Sequence, residues 1–174
     1  QAWSSAASDV YKRQATGHQV ANELKKNKYK VKIVEPNSKL PETVKLFKPE
    51  IIFNALHGQF GEDGYIQSIL DTFGIPYTHS GVIPSAIAMN KDLSKKIFIK
   101  HNILTPKYFI YYFTESRKEI IDKIKKKFKF PVVIKPLNEG SSVNVFICSK
   151  SNLFKKIKLL KNYNKIMIEE YIPG

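Results

Sequence analysis

An α/β fold built on an open, mainly parallel sheet is predicted by three features of this 174-residue sequence. Short apolar runs of strand length alternate with segments whose apolar residues recur three and four apart. One such run, Ile51-Ile52-Phe53, leads into a glycine-rich loop, and open α/β sheets place ligand-binding loops at the carboxyl ends of their strands. Apolar residues make up 43% of the chain, enough to build a core.

The elements follow in order. Residues 1–14, QAWSSAASDVYKRQ, show neither strand nor helix periodicity and are expected to be a non-native or disordered segment. Val20, Ala21 and Leu24 mark the apolar side of a helix ending near Asn27. Tyr29 to Val34 alternates as a strand, and Pro36 to Ser38 turns the chain. Ile51 to Phe53 suits a buried parallel strand. A helix is expected from Gly64-Tyr65 to Phe73, with Ile66, Ile69 and Leu70 inward, and Gly74-Ile75-Pro76 leads to a brief strand. A boundary falls between Ser80 and Asn90, dividing domains at 15–84 and 85–174. Beyond it lie a helix at Lys91 to His101, a strand at Tyr108 to Phe113 and a helix marked by Ile120, Ile121, Ile124 and Phe128. Strands at Val132 to Lys135 and Val143 to Cys148 flank a polar loop, and a Lys-rich helix at Asn152 to Leu160 precedes a last strand, Ile166 to Tyr171.

Composition narrows the class. The net charge of +14 is carried almost wholly by lysine, with arginine only at positions 13 and 117. Arginine is the better reader of bases and phosphates. Lysines such as Lys155, Lys156 and Lys158 lie on solvated helix faces, so no nucleic-acid partner is expected. No segment approaches the ~20 apolar residues of a membrane span, and no signal-peptide pattern opens the chain. The lone Cys148 excludes an internal disulfide framework. A soluble cytoplasmic protein is expected.

Three segments carry candidate chemistry. In His57-Gly58-Gln59-Phe60-Gly61-Glu62-Asp63-Gly64, glycines let backbone N–H groups approach an anion, and His57 can donate to a carboxylate. The same pattern also suits a tight turn whose Glu62 or Asp63 caps the next helix. In Val132-Val133-Ile134-Lys135-Pro136-Leu137-Asn138-Glu139-Gly140-Ser141-Ser142, a lysine ends an apolar strand, where burial is costly unless an anion meets it. The glycine-serine loop after it offers backbone and hydroxyl donors, and the pair suits a polyphosphate. The plainer alternative is a hairpin whose lysine reaches solvent. In Ile166-Met167-Ile168-Glu169-Glu170-Tyr171-Ile172-Pro173-Gly174, Glu169 can accept from an adenine amino group; an edge strand blunted by charge also explains it.

In this order the segments resemble the D-alanine–D-alanine ligase family of ATP-grasp enzymes over roughly residues 15 to 174. HGxxGEDG followed by Lys-Pro-x-x-Glu-Gly-Ser-Ser is the specific part, supported by Gly74-Ile75-Pro76-Tyr77, Ser80-Gly81 and Ala88-Met89-Asn90-Lys91, where the family usually has Asp for Asn90. The resemblance implies a Rossmann-like N-terminal domain followed by the first part of an ATP-grasp domain. It implies ATP and D-alanine as ligands, Mg2+ as cofactor, and a homodimer for the whole enzyme. His57, with Gly58 beside it, would hold the carboxylate of the first D-alanine. Lys91 and Lys135 would bind ATP phosphates. Glu139, Gly140, Ser141 and Ser142 would form the closing loop, with Ser141 orienting the catalytic hydrogen-bond network. Glu169 would face the adenine amino group, with Tyr171 and Ile172 lining the ring pocket.

In the family, ATP phosphorylates one D-alanine and the amine of the second attacks the acyl phosphate. The family's opening strand, glycine-rich turn and acidic residue have no counterpart in residues 1–14. Its transition-state arginine and magnesium ligands belong to a later half, so no metal ligand is expected in this chain and the chain alone is expected to be inactive. A D-alanine–D-lactate or D-alanine–D-serine ligase shares these motifs. Another ATP-grasp ligase and a basic nucleic-acid-binding α/β module are the remaining alternatives.

Overall fold

The computed structural model describes the backbone of residues 2–140 and 142–173, with side chains from residue 14 onward. The chain divides into two compact units, Gln1–Ile87 and Ala88–Gly174.

The first unit opens with α1, Ala2–Lys26. The helix extends through the segment expected to lack structure. Its sequence carries Ala, Ser, Lys, Arg and Gln without Pro, and Gly first at position 17, so backbone propensity permits a helix where no apolar stripe announces one. Trp3, in that segment, lies outside the described side chains. Ala21 is buried, and Val20 and Leu24 are half-buried on the same side, as predicted. A short helix not predicted, α2 (Leu40–Phe47), has Pro41 in its first turn and ends on Lys48 at φ 48°. α3 (Tyr65–Asp71) buries Ile66, Gln67 and Leu70, and α4 spans Val82–Met89 within the expected boundary.

The parallel sheet predicted for this unit is reduced, among the described residues, to one parallel bridge, Ile52 to Tyr77. Ile52 N–H donates to Pro76 O at 2.9 Å, and Thr78 N–H to Ile52 O at 3.0 Å. Tyr29–Val34 forms no ladder, against expectation. A strand needs a neighbour about 4.8 Å away. Beside this one lies instead a cavity of about 800 Å³ whose lining includes Ala21, Leu24, Val31, Ile33, Ile51 and Phe53. Ile33 is therefore 45% exposed.

The second unit is a four-stranded antiparallel sheet, ordered β1-β4-β2-β3. Its strands are β1 (Tyr108–Tyr112), β2 (Val132–Pro136), β3 (Phe146–Cys148) and β4 (Lys165–Glu170). α5 (Lys91–Lys100) starts on Asn90, whose side chain accepts from the N–H groups of Asp92 and Leu93. α6 (Arg117–Lys127) starts on a capping box in which Ser116 and Glu119 satisfy each other's backbone donors. α7 spans Leu153–Leu159.

Register sorts the strands into two faces. Val132, Ile134, Ile166 and Ile168 share one face with Phe109 and Tyr111 and pack on Ile120, Ile124, Leu153 and Leu160. Val132, Ile134 and Ile168 are 0% exposed. α6 and α7 supply the layer that covers them. Each such side chain contributes roughly 1.5–3 kcal/mol of burial. The other face carries Val133, Lys135, Met167, Glu169 and Tyr108.

Candidate functional site

In the first unit the loop at 57–64 is held in shape by its own polar groups. The buried Asn54 side chain donates to Gly61 O at 3.0 Å and accepts from Leu56 N–H at 3.0 Å. Gln67, also buried, donates to the same Gly61 O at 2.9 Å. Gly61 is obligatory: a Cβ there would sit 2.6 Å from Leu56 Cβ and 2.9 Å from its carbonyl carbon. Glu62 accepts from Gly58 N–H at 2.6 Å, and Asp63 accepts from Phe60 N–H at 2.9 Å and Tyr65 N–H at 3.1 Å. The loop's acids thus tie its own backbone; the helix N-cap is Gly64, at φ 94°, and not Glu62 or Asp63. His57 is exposed, with Nδ1 3.8 Å from Glu62 Oε1. A rigid turn presents an exposed imidazole, and Gly58 N–H is engaged with Glu62.

The second unit assembles three charged residues on the sheet face away from the core. Glu169 stands in β4, an interior strand between β1 and β2, so the edge-strand alternative does not apply. Lys135 stands in the neighbouring interior strand β2, not at the sheet's edge. Because Val133 pairs with Glu169 and Lys135 with Met167, both charged side chains emerge on one face. The Lys135 ammonium bonds Glu169 Oε1. Lys95, from α5, places its Nζ 2.9 Å from Glu169 Oε2. The Glu169 and Lys95 side chains are 7% and 8% exposed, and Lys135 is 18% exposed. A buried carboxylate is tolerable only with such partners.

Lys91 joins the same end of the unit. Its N–H donates to Leu137 O at 3.0 Å and its ammonium to Glu139 O, so the helix start is fastened to the loop after β2. Burial, then the nearby Lys135 charge, pull the Lys91 ammonium below the ordinary lysine value of 10.5, against the opposing pull of Glu139 and Glu169. An anion placed there would relieve the strain between the two cations. Glu139 accepts from the Tyr163 hydroxyl at 3.0 Å, and Asn144 donates to that hydroxyl at 2.9 Å. Gly140 has open space where a Cβ would be, and Ser142 turns the chain at φ 58°. Ser141 lies outside the described residues. Tyr171 and Ile172 follow β4 in irregular backbone, and Ile172 is exposed.

Within the second unit the structure therefore brings together Lys91, Lys135, Glu139 and Glu169; His57 and Gly58 belong to the first unit. Sequence reasoning missed Lys95, Tyr163, Asn54 and Gln67. Lys95 had one available signal, its position four residues after Lys91, which puts both on one helix face. Among the described residues, no three His, Cys, Asp or Glu side chains gather as a metal site, and no helix is long and apolar enough to cross a membrane.

The family description "RimK-like ATP-grasp domain" matches residues 88–174, and "D-ala D-ala ligase N-terminus" matches residues 1–80. An antiparallel sheet with a cationic, carboxylate-bearing face, matched in this way, defines a protein of the ATP-grasp class. The chain is 63% identical over 159 residues to a D-alanine–D-alanine ligase of Pelagibacter ubique, covering 91% of this chain and 52% of that protein. It is 40% identical to one of Wolbachia pipientis, covering 91% and 50%. The D-alanine–D-alanine ligase structure from Bacillus anthracis superposes with a TM-score of 0.82 at 34% identity, covering 96% of this chain and 55% of that one. The same enzyme complexed with ATP gives 0.69 at 32% identity, over 86% and 50%. The chain belongs to the D-alanine–D-alanine ligase family, and it spans about half the length of the curated relatives it matches.

Proposed function

We propose that the protein containing this chain joins two D-alanines at the expense of ATP, through an acyl phosphate, to supply peptidoglycan synthesis. One observation carries the reading: Glu169 is held between the ammoniums of Lys95 and Lys135 on a single sheet face, with Lys91 at the same end of the unit. This set offers cations to a polyphosphate and a carboxylate acceptor to a base. Its buried Glu169 Oε2 has no hydrogen bond, although Lys95 sits beside it as an ionic partner. A ligand donor would satisfy that oxygen.

In this reading Lys91 and Lys135 neutralise ATP phosphates, and the loop of Glu139, Gly140, Ser141 and Ser142 covers them. Glu169 faces the adenine amino group, and Tyr171 and Ile172 line its ring. Residues 15–84 form the substrate-binding domain, completed as a parallel Rossmann-like sheet, in which His57 and Gly58 meet the carboxylate of the first D-alanine. Residues 85–174 form part of the ATP-grasp domain. The enzyme works in the cytoplasm as a homodimer, with Mg2+ held by ligands outside this chain.

The test is ADP release by the full-length protein with ATP and D-alanine, D-lactate or D-serine, and identification of the product. Release stimulated by D-alanine alone, with D-alanyl-D-alanine formed, supports the proposal. A D-alanyl-D-lactate or D-alanyl-D-serine product would reassign the second substrate, and no D-alanine-dependent release would overturn the ligase reading.

A further inference from the structure

We propose that Lys95 is a positioning residue that makes this site select a purine bearing an amino group over one bearing a carbonyl at the same ring position. The inference rests on the nucleotide reading above and concerns how Glu169 is aimed. Two lysines contact Glu169, but they are held differently. Lys135 meets Oε1 and is the more exposed of the two. Lys95 is fixed from several sides. Its Nζ donates to Pro106 O at 2.7 Å and lies 4.8 Å from the Tyr108 ring centre. Tyr108 is itself anchored, its hydroxyl donating to Asp92 at 2.9 Å. Lys95 is therefore a fixed post, able to keep Glu169 in place when Lys135 turns toward a phosphate.

Lys95 and Glu169 Oε2 form an ion pair at 2.9 Å, yet Oε2 is a buried acceptor without a hydrogen bond. An ionised carboxylate accepts and cannot donate. An exocyclic amine brought to it completes a bond that the free protein leaves unmade. A ring carbonyl brought to the same place sets acceptor against acceptor, which a buried site penalises strongly. Without Lys95 the carboxylate loses its fixed post and turns toward Lys135, and the distinction between amine and carbonyl goes with it.

The experiment titrates the full-length protein with ATP and with ITP, which carries a carbonyl where ATP carries the amine. It compares wild type with Lys95→Met, Lys95→Gln and Lys95→Arg, each checked for cooperative melting. The expected result is an ATP affinity about tenfold weaker in Lys95→Met, with ITP affinity within about twofold of wild type, so that selectivity collapses. Lys95→Arg restores it. Should Lys95→Met fail to fold, Lys95→Gln, which keeps a donor for Pro106 O without the charge, is read in the same way. Equal weakening of ATP and ITP would show a merely structural lysine and overturn the inference. Unchanged selectivity in Glu169→Gln would show instead that Glu169 does not read the base. Wild-type protein that binds no adenine nucleotide would remove the nucleotide reading itself.

Discussion

Replacing Lys135 by methionine removes charge from the site while keeping most of the apolar stem. The structure separates its effect on binding from its effect on folding. Breaking a buried ion pair by deleting one partner costs roughly 3–5 kcal/mol when the remaining charge is stranded. Glu169 is not stranded, because Lys95 stays 2.9 Å from Oε2. The substitution also relieves the repulsion that Lys135 exerts on Lys91. Folding stability should therefore fall by only about 1 kcal/mol, the net worth of an ordinary hydrogen bond. Nucleotide binding loses a charge-assisted contact worth about 1.5–3 kcal/mol, which weakens ATP affinity about ten- to a hundredfold.

The assay is ATP titration of the full-length protein alongside urea unfolding, with Lys158→Ala as control. Lys158 is exposed on α7, whereas its neighbour Lys156 lies over the Phe146 ring at 4.7 Å and is a poorer control. Equal losses of ATP affinity in Lys135→Met and Lys158→Ala would mean that the lysines act through bulk charge. A stability loss above about 3 kcal/mol in Lys135→Met, the onset of the range for a stranded buried charge, would mean that Lys95 does not hold Glu169 unaided.

Lys91 makes nucleotide binding depend on alkaline pH. Its folded value lies below 10.5, so between the two values the unfolded chain binds more protons and folding stability rises with pH. A bound phosphate restores the ammonium, so calorimetry just below pH 10.5 should show proton uptake on ATP binding that Lys91→Met abolishes; uptake unchanged in the variant would contradict this. Burial pushes the Cys148 thiol up to about 11, against the pull of Lys156. Iodoacetamide at about pH 8 should modify the native thiol some two orders of magnitude more slowly than the urea-unfolded one, and comparable rates would contradict its burial. Deleting residues 1–14 should leave unfolding free energy within about 0.5 kcal/mol of the parent. A loss of several kcal/mol would show that the segment supplies packing.

The second unit was the more legible in the sequence, for a physical reason. Its strands alternate cleanly enough that Val132/Ile134 and Ile166/Ile168 announce one buried face, and its helices begin on Asn90 and Ser116, whose side chains satisfy backbone donors. The hairpin strand starts later than expected, at Phe146, because Ser142 and Asn144 take φ 58° and 56° and delay the pairing. In the first unit, Tyr29–Val34 has strand alternation, but alternation cannot supply a partner, and the neighbouring space is a cavity. α1 was missed at its start because helix propensity needs no apolar stripe, and α2 because eight residues give too little periodicity. Lys135 and Glu169 stood out in the sequence at the ends of apolar runs, whereas Lys91 was singled out only by the family resemblance. Lys95 resembled the solvated lysines around it, and its burial is set by a strand more than seventy residues away.

In the proposed reaction this chain binds the ATP that activates D-alanine as an acyl phosphate. Its most direct test uses D-alanine labelled with oxygen-18 in the carboxylate, turned over by the full-length protein with ATP. Attack of that carboxylate on the γ-phosphoryl group, followed by displacement by the second amine, carries one carboxylate oxygen into the released phosphate. One labelled oxygen in phosphate is expected for each dipeptide formed. Dipeptide accompanied by unlabelled phosphate would contradict it.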